Sequence, residues 1–434
     1  MNNISYLQEK FDEIQSAAKN RGIAGIRQQA FHSYNILGIP GVRNEEWKYT
    51  RVSGIFNRDF KLAGSVDASV SVEDFESFRL PGYENANQLV FVNGIYSTGL
   101  STLLSSSLSV ISLEEAAGNE FSDIVEKNFN HSGPFLKDGI NALNTAFVHG
   151  AVFISVKQNK VLEHPVYIYN ITDARSEAVL AQPRSLVYAA ANTEMEVVET
   201  YHTIGANDSI TNQVMEVVVE KDARFYYYKI QQDTTHASQV STTHIRQVGK
   251  SFAQAVTVSL NGKLVRNNLH TILEAPYAES HLYGLYVQHG NSHIDNHTLV
   301  DHAVPNCESN ELYKGILDDQ STGVFNGKVM VRKDAQKTNA FQSNKNILLS
   351  DTASVNTKPQ LEIYADDVKC SHGCTIGSLD PEGLFYLQSR GIPHRKAVAL
   401  LLQGFAMDVL GKIKPAAIRN HVEELIIQRL STEA

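Results

Sequence analysis

Only three cysteines occur in the 434 residues: Cys307, Cys370 and Cys374. A secreted disulfide framework uses more, in an even number. The expected setting is therefore a reducing one, the cytoplasm. No run approaches the ~18 apolar residues of a membrane span, so no membrane segment is expected. The opening Met1-Asn2-Asn3-Ile4-Ser5 has no basic stretch leading into an apolar one, so no secretory signal is expected. Basic residues are outnumbered by acidic ones, 38 against 47, giving −9. That balance favours solubility and argues against a nucleic-acid-binding surface.

Chemistry-bearing motifs are also missing. The chain has no G-x-x-x-x-G-K-[ST] phosphate loop, no H-E-x-x-H and no G-x-S-x-G. It has no four-cysteine run that could hold an iron–sulfur cluster unaided. The expectation is a protein that is not an enzyme in its own right. An independent β-helix enzyme, such as a polysaccharide lyase, is the weaker alternative.

What is present is a chain that is 42% hydrophobic, ample for a large core. Leu7, Phe11, Ile14 and Ala18 repeat at helical spacing, as do Ile26, Ala30, Tyr34 and Leu37, which end at Gly38. From Leu89 the period shortens, and Leu89-Val90-Phe91-Val92 runs into Asn93-Gly94, a hairpin signal. Short strands then follow one another without a long helical stripe: 152–156, 166–169, 185–189, 196–200, 214–219, 225–230, 280–288, 298–300, 328–331, 347–349 and 361–364. Val187 and Val217, Val198 and Tyr228, and Leu299 and Val329 each lie 30 residues apart. Two strands per ~30 residues suit a β-solenoid, and an antiparallel sandwich or barrel would space its strands similarly. After Asp380-Pro381-Glu382-Gly383, a turn signal, apolar residues return to helical spacing at Val398, Leu401, Leu402, Phe405 and Val409. Pro415 opens a last helix bearing Ile418, Val422, Leu425 and Ile426. The expected organisation is a helical region over 1–85, a β body over 86–380 and a helical tail over 381–434. The tail's broad apolar arc suits packing on itself or docking another subunit.

Two clusters carry donor atoms. In Lys369-Cys370-Ser371-His372-Gly373-Cys374, an extended strand would put Cys370, His372 and Cys374 on one face, ~7 Å per step. Thiolate and imidazole suit zinc, copper or cluster iron. The spacing is too long for one small ion, and better suits ligands shared with another chain. Inward-packed cysteines and a hydrogen-bonded histidine would explain the same residues. The second cluster is His293, Asp295, Asn296 and His297 with Asp301, His302 and Cys307. It reads either as a metal site or as solenoid turns whose polar side chains satisfy the backbone.

Five stretches, in order, resemble the SufB/SufD family of iron–sulfur cluster assembly scaffolds. They are Glu46-Trp47-Lys48-Tyr49-Thr50; Leu143-Asn144-Thr145-Ala146-Phe147 before Gly150; Gly315 with Gly323, Phe325 and Gly327; Leu361-Glu362-Ile363 through Lys369-Cys370-Ser371-His372-Gly373; and Arg390-Gly391-Ile392 with Leu401, Gly404 and Phe405. The Cys-Ser-His-Gly form, the modest length and the absence of Glu from Leu400-Leu401-Leu402-Gln403-Gly404-Phe405 resemble the SufD branch rather than the SufB branch. The resemblance implies a right-handed parallel β-helix between helical ends. It implies pairing with SufB, or a homodimer in its absence, and binding of the SufC ATPase through the tail. It further implies a nascent iron–sulfur cluster at the SufB–SufD interface, transient and shared, with His372 as an iron ligand and Cys370 beside it. Cys374 matches no fixed position of the family pattern.

Overall fold

The computed structural model describes residues 4–17, 20–62, 70–136 and 138–433. Its body is a parallel β-solenoid of about eight turns with helices toward both ends. From Val152–Val156 and Val166–Asp173 onward the chain alternates between two sheets, each strand pairing in parallel with the strand one coil earlier. One sheet ends at Ser354–Ile363 and the other at Val368–Gly377. One corner column is built from residues that tolerate left-handed backbone: Asn159, Asn192, Asp222 and Asn306 all have φ near +60°.

Two of the three 30-residue spacings are coil repeats and the third is not. Val187 pairs with Val217 and Val198 with Tyr228, as expected. Val329, however, pairs with Val300, and Leu299 faces Lys328. That coil is one residue shorter, and a one-residue slip puts a side chain on the opposite face. Leu89 through Val92 do form a strand, Asn87–Val92, and Asn93-Gly94 turns it into Ile95–Tyr96 with φ of +51° and +86°. Among the long strands of the body, Ala237–Gln247, Phe252–Asn261, Leu264–Leu273 and Glu308–Leu317 have no counterpart in the sequence reading. Most of their positions are buried and many carry polar side chains, such as Ser238, Gln239, Ser241, Thr242, Asn267 and Asn268, so apolar alternation is weak in all but Val256, Val258 and Leu260.

Both sheets are covered on the outside. Helices Ile4–Ser16, Arg21–Leu37 and Gly139–Ala146 bury Phe11, Phe31, Ile140 and Leu143 against Leu180, Ile210 and Val240 of the first sheet. Ala18 lies outside the described residues. The tail helices His394–Leu410 and Ala416–Glu433 cover the second sheet, burying Leu402, Ala406, Val409, Ile418, Val422 and Ile426. A further helix, Pro381–Ser389, begins inside the 380–383 turn signal and opens the helical tail. Asp380 caps it by accepting from the Glu382 amide, with Pro381 at its first position. No described helix is long and apolar enough to cross a membrane.

Candidate functional site

The strand Val368–Gly377 is the outermost of its sheet and has one neighbour, Thr338–Leu348. Cys370, His372 and Cys374 stand in register with Ala340, Gln342 and Asn344, so they share the face that continues the solenoid interior. Cys370 packs partly into that core, and burial pushes its thiol up from the usual range. His372 and Cys374 are exposed. Parity therefore unites the three, but burial separates them: Cys370 is a packing residue as well as a donor, and the other two face solvent. Among the described residues no group of three His, Cys, Asp or Glu is placed to hold a metal alone. Imidazole and thiol on this open edge can complete the coordination of iron held partly elsewhere.

The interior behind this edge is polar. Tyr286 OH donates to Asn346 Oδ1 at 2.5 Å, Asn346 donates to Asn344 Oδ1 at 2.7 Å, and Gln342 donates to Glu311 Oε2 at 2.7 Å. Glu311 and Gln342 are missed by sequence reasoning. A signal for them existed in Gly315, Gly323 and Gly327, since glycine within a strand marks a close approach by something else. A β-carbon on Gly315 would stand 2.3 Å from the Tyr286 ring, and one on Gly327 would stand 2.4 Å from Gln342 Nε2. These glycines clear room for the interior side chains.

The second cluster is divided between the two faces of the first sheet. His293, Asp295 and His297 point outward, and the Glu46–Thr50 segment docks on them. Asp295 pairs with Arg266 at 2.7 Å, His297 lies 3.0 Å from Asp295 and 3.3 Å from Glu46, and Thr50 donates to Asp295. Trp47 covers the Arg266 guanidinium at 4.2 Å and donates to Asp138. Asn296 points inward to accept from Asn267. His302 is buried beside Ser309, 2.8 Å away, and its ring is held down at about 4 by burial. Asp301 pairs with Arg332, and Cys307 is buried with its Sγ on the Ala275 carbonyl. The outward-facing His293, Asp295 and His297 are thus a latch between the N-terminal region and the body, and among the described residues the cluster forms no group placed to hold a metal.

A family model described as the SufBD core domain of the SUF system for FeS cluster assembly matches residues 170–405. One for the SufBD protein N-terminal region matches 2–168. An iron–sulfur cluster assembly SufBD family protein of Synechocystis sp. is 31% identical over 92% of this chain and 89% of its own length. The iron–sulfur cluster assembly protein SufD of Escherichia coli is 29% identical over 93% and 92%. SufD of Bacillus subtilis is 26% identical over 72% of each chain.

Proposed function

Because the chain belongs to the SufBD family of the SUF iron–sulfur cluster assembly system, we propose that it acts there as a SufD-type scaffold subunit. The scaffold is cytoplasmic and catalyses no reaction of its own. A SufB-type chain pairs with the open end of the solenoid. The nascent cluster forms between the two, with His372 ligating iron and Cys370 alongside. The cluster is cargo, built and released rather than kept. The tail helices dock a SufC-type ATPase, which supplies the nucleotide chemistry this chain lacks.

The observation that carries the reading is the position of His372, exposed on an edge strand whose far side has no described neighbour. An edge of unpaired backbone groups is a template for another chain, and exposed Ile363, Tyr364 and Ile376 surround it. The tail supports the second contact. Its helices bury one face on the body but leave Leu400, Met407 and Ile427 exposed. Affinity capture of the tagged chain from its native cell should bring down a SufB-like chain and an ATPase. His372→Ala should be captured with both and deliver clusters to a reporter enzyme well below the wild-type rate. Wild-type delivery by that variant overturns the ligand role, and capture of neither chain overturns the scaffold reading.

A further inference from the structure

Glu311, Gln342 and His372 occupy one register column on the inner side of the second sheet, in three successive coils. Column neighbours in a sheet stand ~4.8 Å apart. Glu311 and Gln342 are buried, 2% and 3% exposed. The Gln342 amide turns its nitrogen to Glu311, donating to Oε2 at 2.7 Å. That bond leaves the amide carbonyl free. Gln342 Oε1 is buried and has no hydrogen-bond partner among the described residues, an arrangement that is unfavourable unless a donor is supplied. The opposite wall is cut to fit, because a β-carbon on Gly327 would stand 2.4 Å from Gln342 Nε2. The structure thus invests a buried carboxyl and a side-chain-free wall in aiming one amide, and the next member of the column is His372.

We propose that Gln342, anchored by Glu311, is a positioning residue for His372. With the exposed His372 ring turned inward, the carbonyl that is unpartnered in this structure accepts the N–H of one ring nitrogen, and the other nitrogen's lone pair is left directed out of the open end. A ligand histidine held in this way keeps a single tautomer and a fixed ring direction. The inference rests on the ligand role given to His372 above and names what orients that ring.

Nitrogen-15 histidine spectra of the full chain, with His372 assigned through His372→Ala, read the tautomer directly. One tautomer is expected in the wild type and a mixture in Gln342→Leu. Glu311→Gln should keep the wild-type spectrum, because its amide carbonyl still accepts from Gln342. In the assembled complex, Gln342→Leu should lower cluster delivery roughly tenfold, in line with the loss of an outer-shell partner, without loss of the partner chains. Should Gln342→Leu not fold, Gly327→Ala displaces the same amide and should produce the same mixture. An unchanged tautomer population in the folded variant overturns the positioning role even if His372→Ala still abolishes delivery. Wild-type delivery by His372→Ala removes the ligand role and this inference together.

Discussion

Arg266 and Asp295 form an ion pair at 2.7 Å with side chains 2% and 1% exposed. Burial alone would raise the Asp295 carboxyl, yet Arg266 and His297 hold it well below the usual carboxylate range. Arg266 also donates to the Glu46 carbonyl at 2.8 Å and lies under Trp47. It therefore ties the N-terminal region to the body. Removing one partner of a buried pair leaves the other charge uncompensated, at ~3–5 kcal/mol. Arg266→Ala should lower stability by about that amount in urea unfolding. The double variant Arg266→Ala/Asp295→Ala should lose less than the sum of the singles, and additive losses would show that the pair is not coupled.

The same latch shows what was legible in the sequence. Glu46–Thr50 and His293–His297 each stood out, but 243 residues separate Thr50 from His293, which contact at 2.9 Å. No local pattern encodes a contact at that separation. The helices and the first strands were readable because apolar residues mark their buried faces. The middle coils over 237–273 were not, because Ser241 and Asn267, bonded with Gln231 and Asn296, belong to a polar interior that looks like loop composition. The alternation of Cys370, His372 and Cys374 was readable from period two. That Cys370 alone packs inward was not, since it depends on where the solenoid ends.

Gly315 should tolerate no side chain. A methyl there would stand 2.3 Å from the Tyr286 ring and 2.5 Å from Asn346 Oδ1. Overpacking of this kind costs ~1–3 kcal/mol. Gly315→Ala should shift the urea midpoint accordingly, and adding Tyr286→Leu should recover part of the loss. Full tolerance of Gly315→Ala would contradict the close approach.

Glu311 makes stability fall with rising pH. Burial raises its carboxyl from 4.5 to about 7. Between those values the unfolded chain releases the proton while the folded chain keeps it. Stability therefore declines from pH 4.5 to 7 and is flat above, a loss of ~3 kcal/mol at ~1.4 kcal/mol per pH unit. Glu311→Gln should gain on the wild type across that window and hold a constant advantage above it. Parallel stability curves for the two proteins would refute the shift.

His202 gives the tail the opposite dependence. It lies between Phe78, stacked at 4.5 Å, and the tail helix, where His421 faces it, and burial holds its ring down at about 4. A histidine depressed on folding contributes stability that is present above 6.5 and lost as pH falls toward 4. Amide exchange in Ala416–Glu433 should rise over that interval, ahead of the solenoid strands. His202→Gln should reduce the rise, and exchange insensitive to pH in the wild-type tail would contradict it.

The open edge and the histidine on it should be separable by mutation. Pairing through an edge strand depends on backbone groups and flanking apolar side chains, and one charge placed there blocks it. Ile363 and Ile376 are 39% and 49% exposed, so Ile363→Lys/Ile376→Lys should cost the isolated chain little stability, since exposed substitutions usually stay within ~0.5 kcal/mol. The variant should lose the SufB-like chain on affinity capture, keep the ATPase on its tail, and deliver no clusters. His372→Ala should show the converse, keeping both chains and losing delivery, with Cys370→Ala milder and Cys374→Ala mildest. Cys370 adds packing to its donor role, so its alanine variant should also lose a little stability, which exposed Cys374 should not. If the charged variant still captures the SufB-like chain, the pairing surface lies elsewhere on the solenoid, and His372 then lies outside the interface that its ligand role requires.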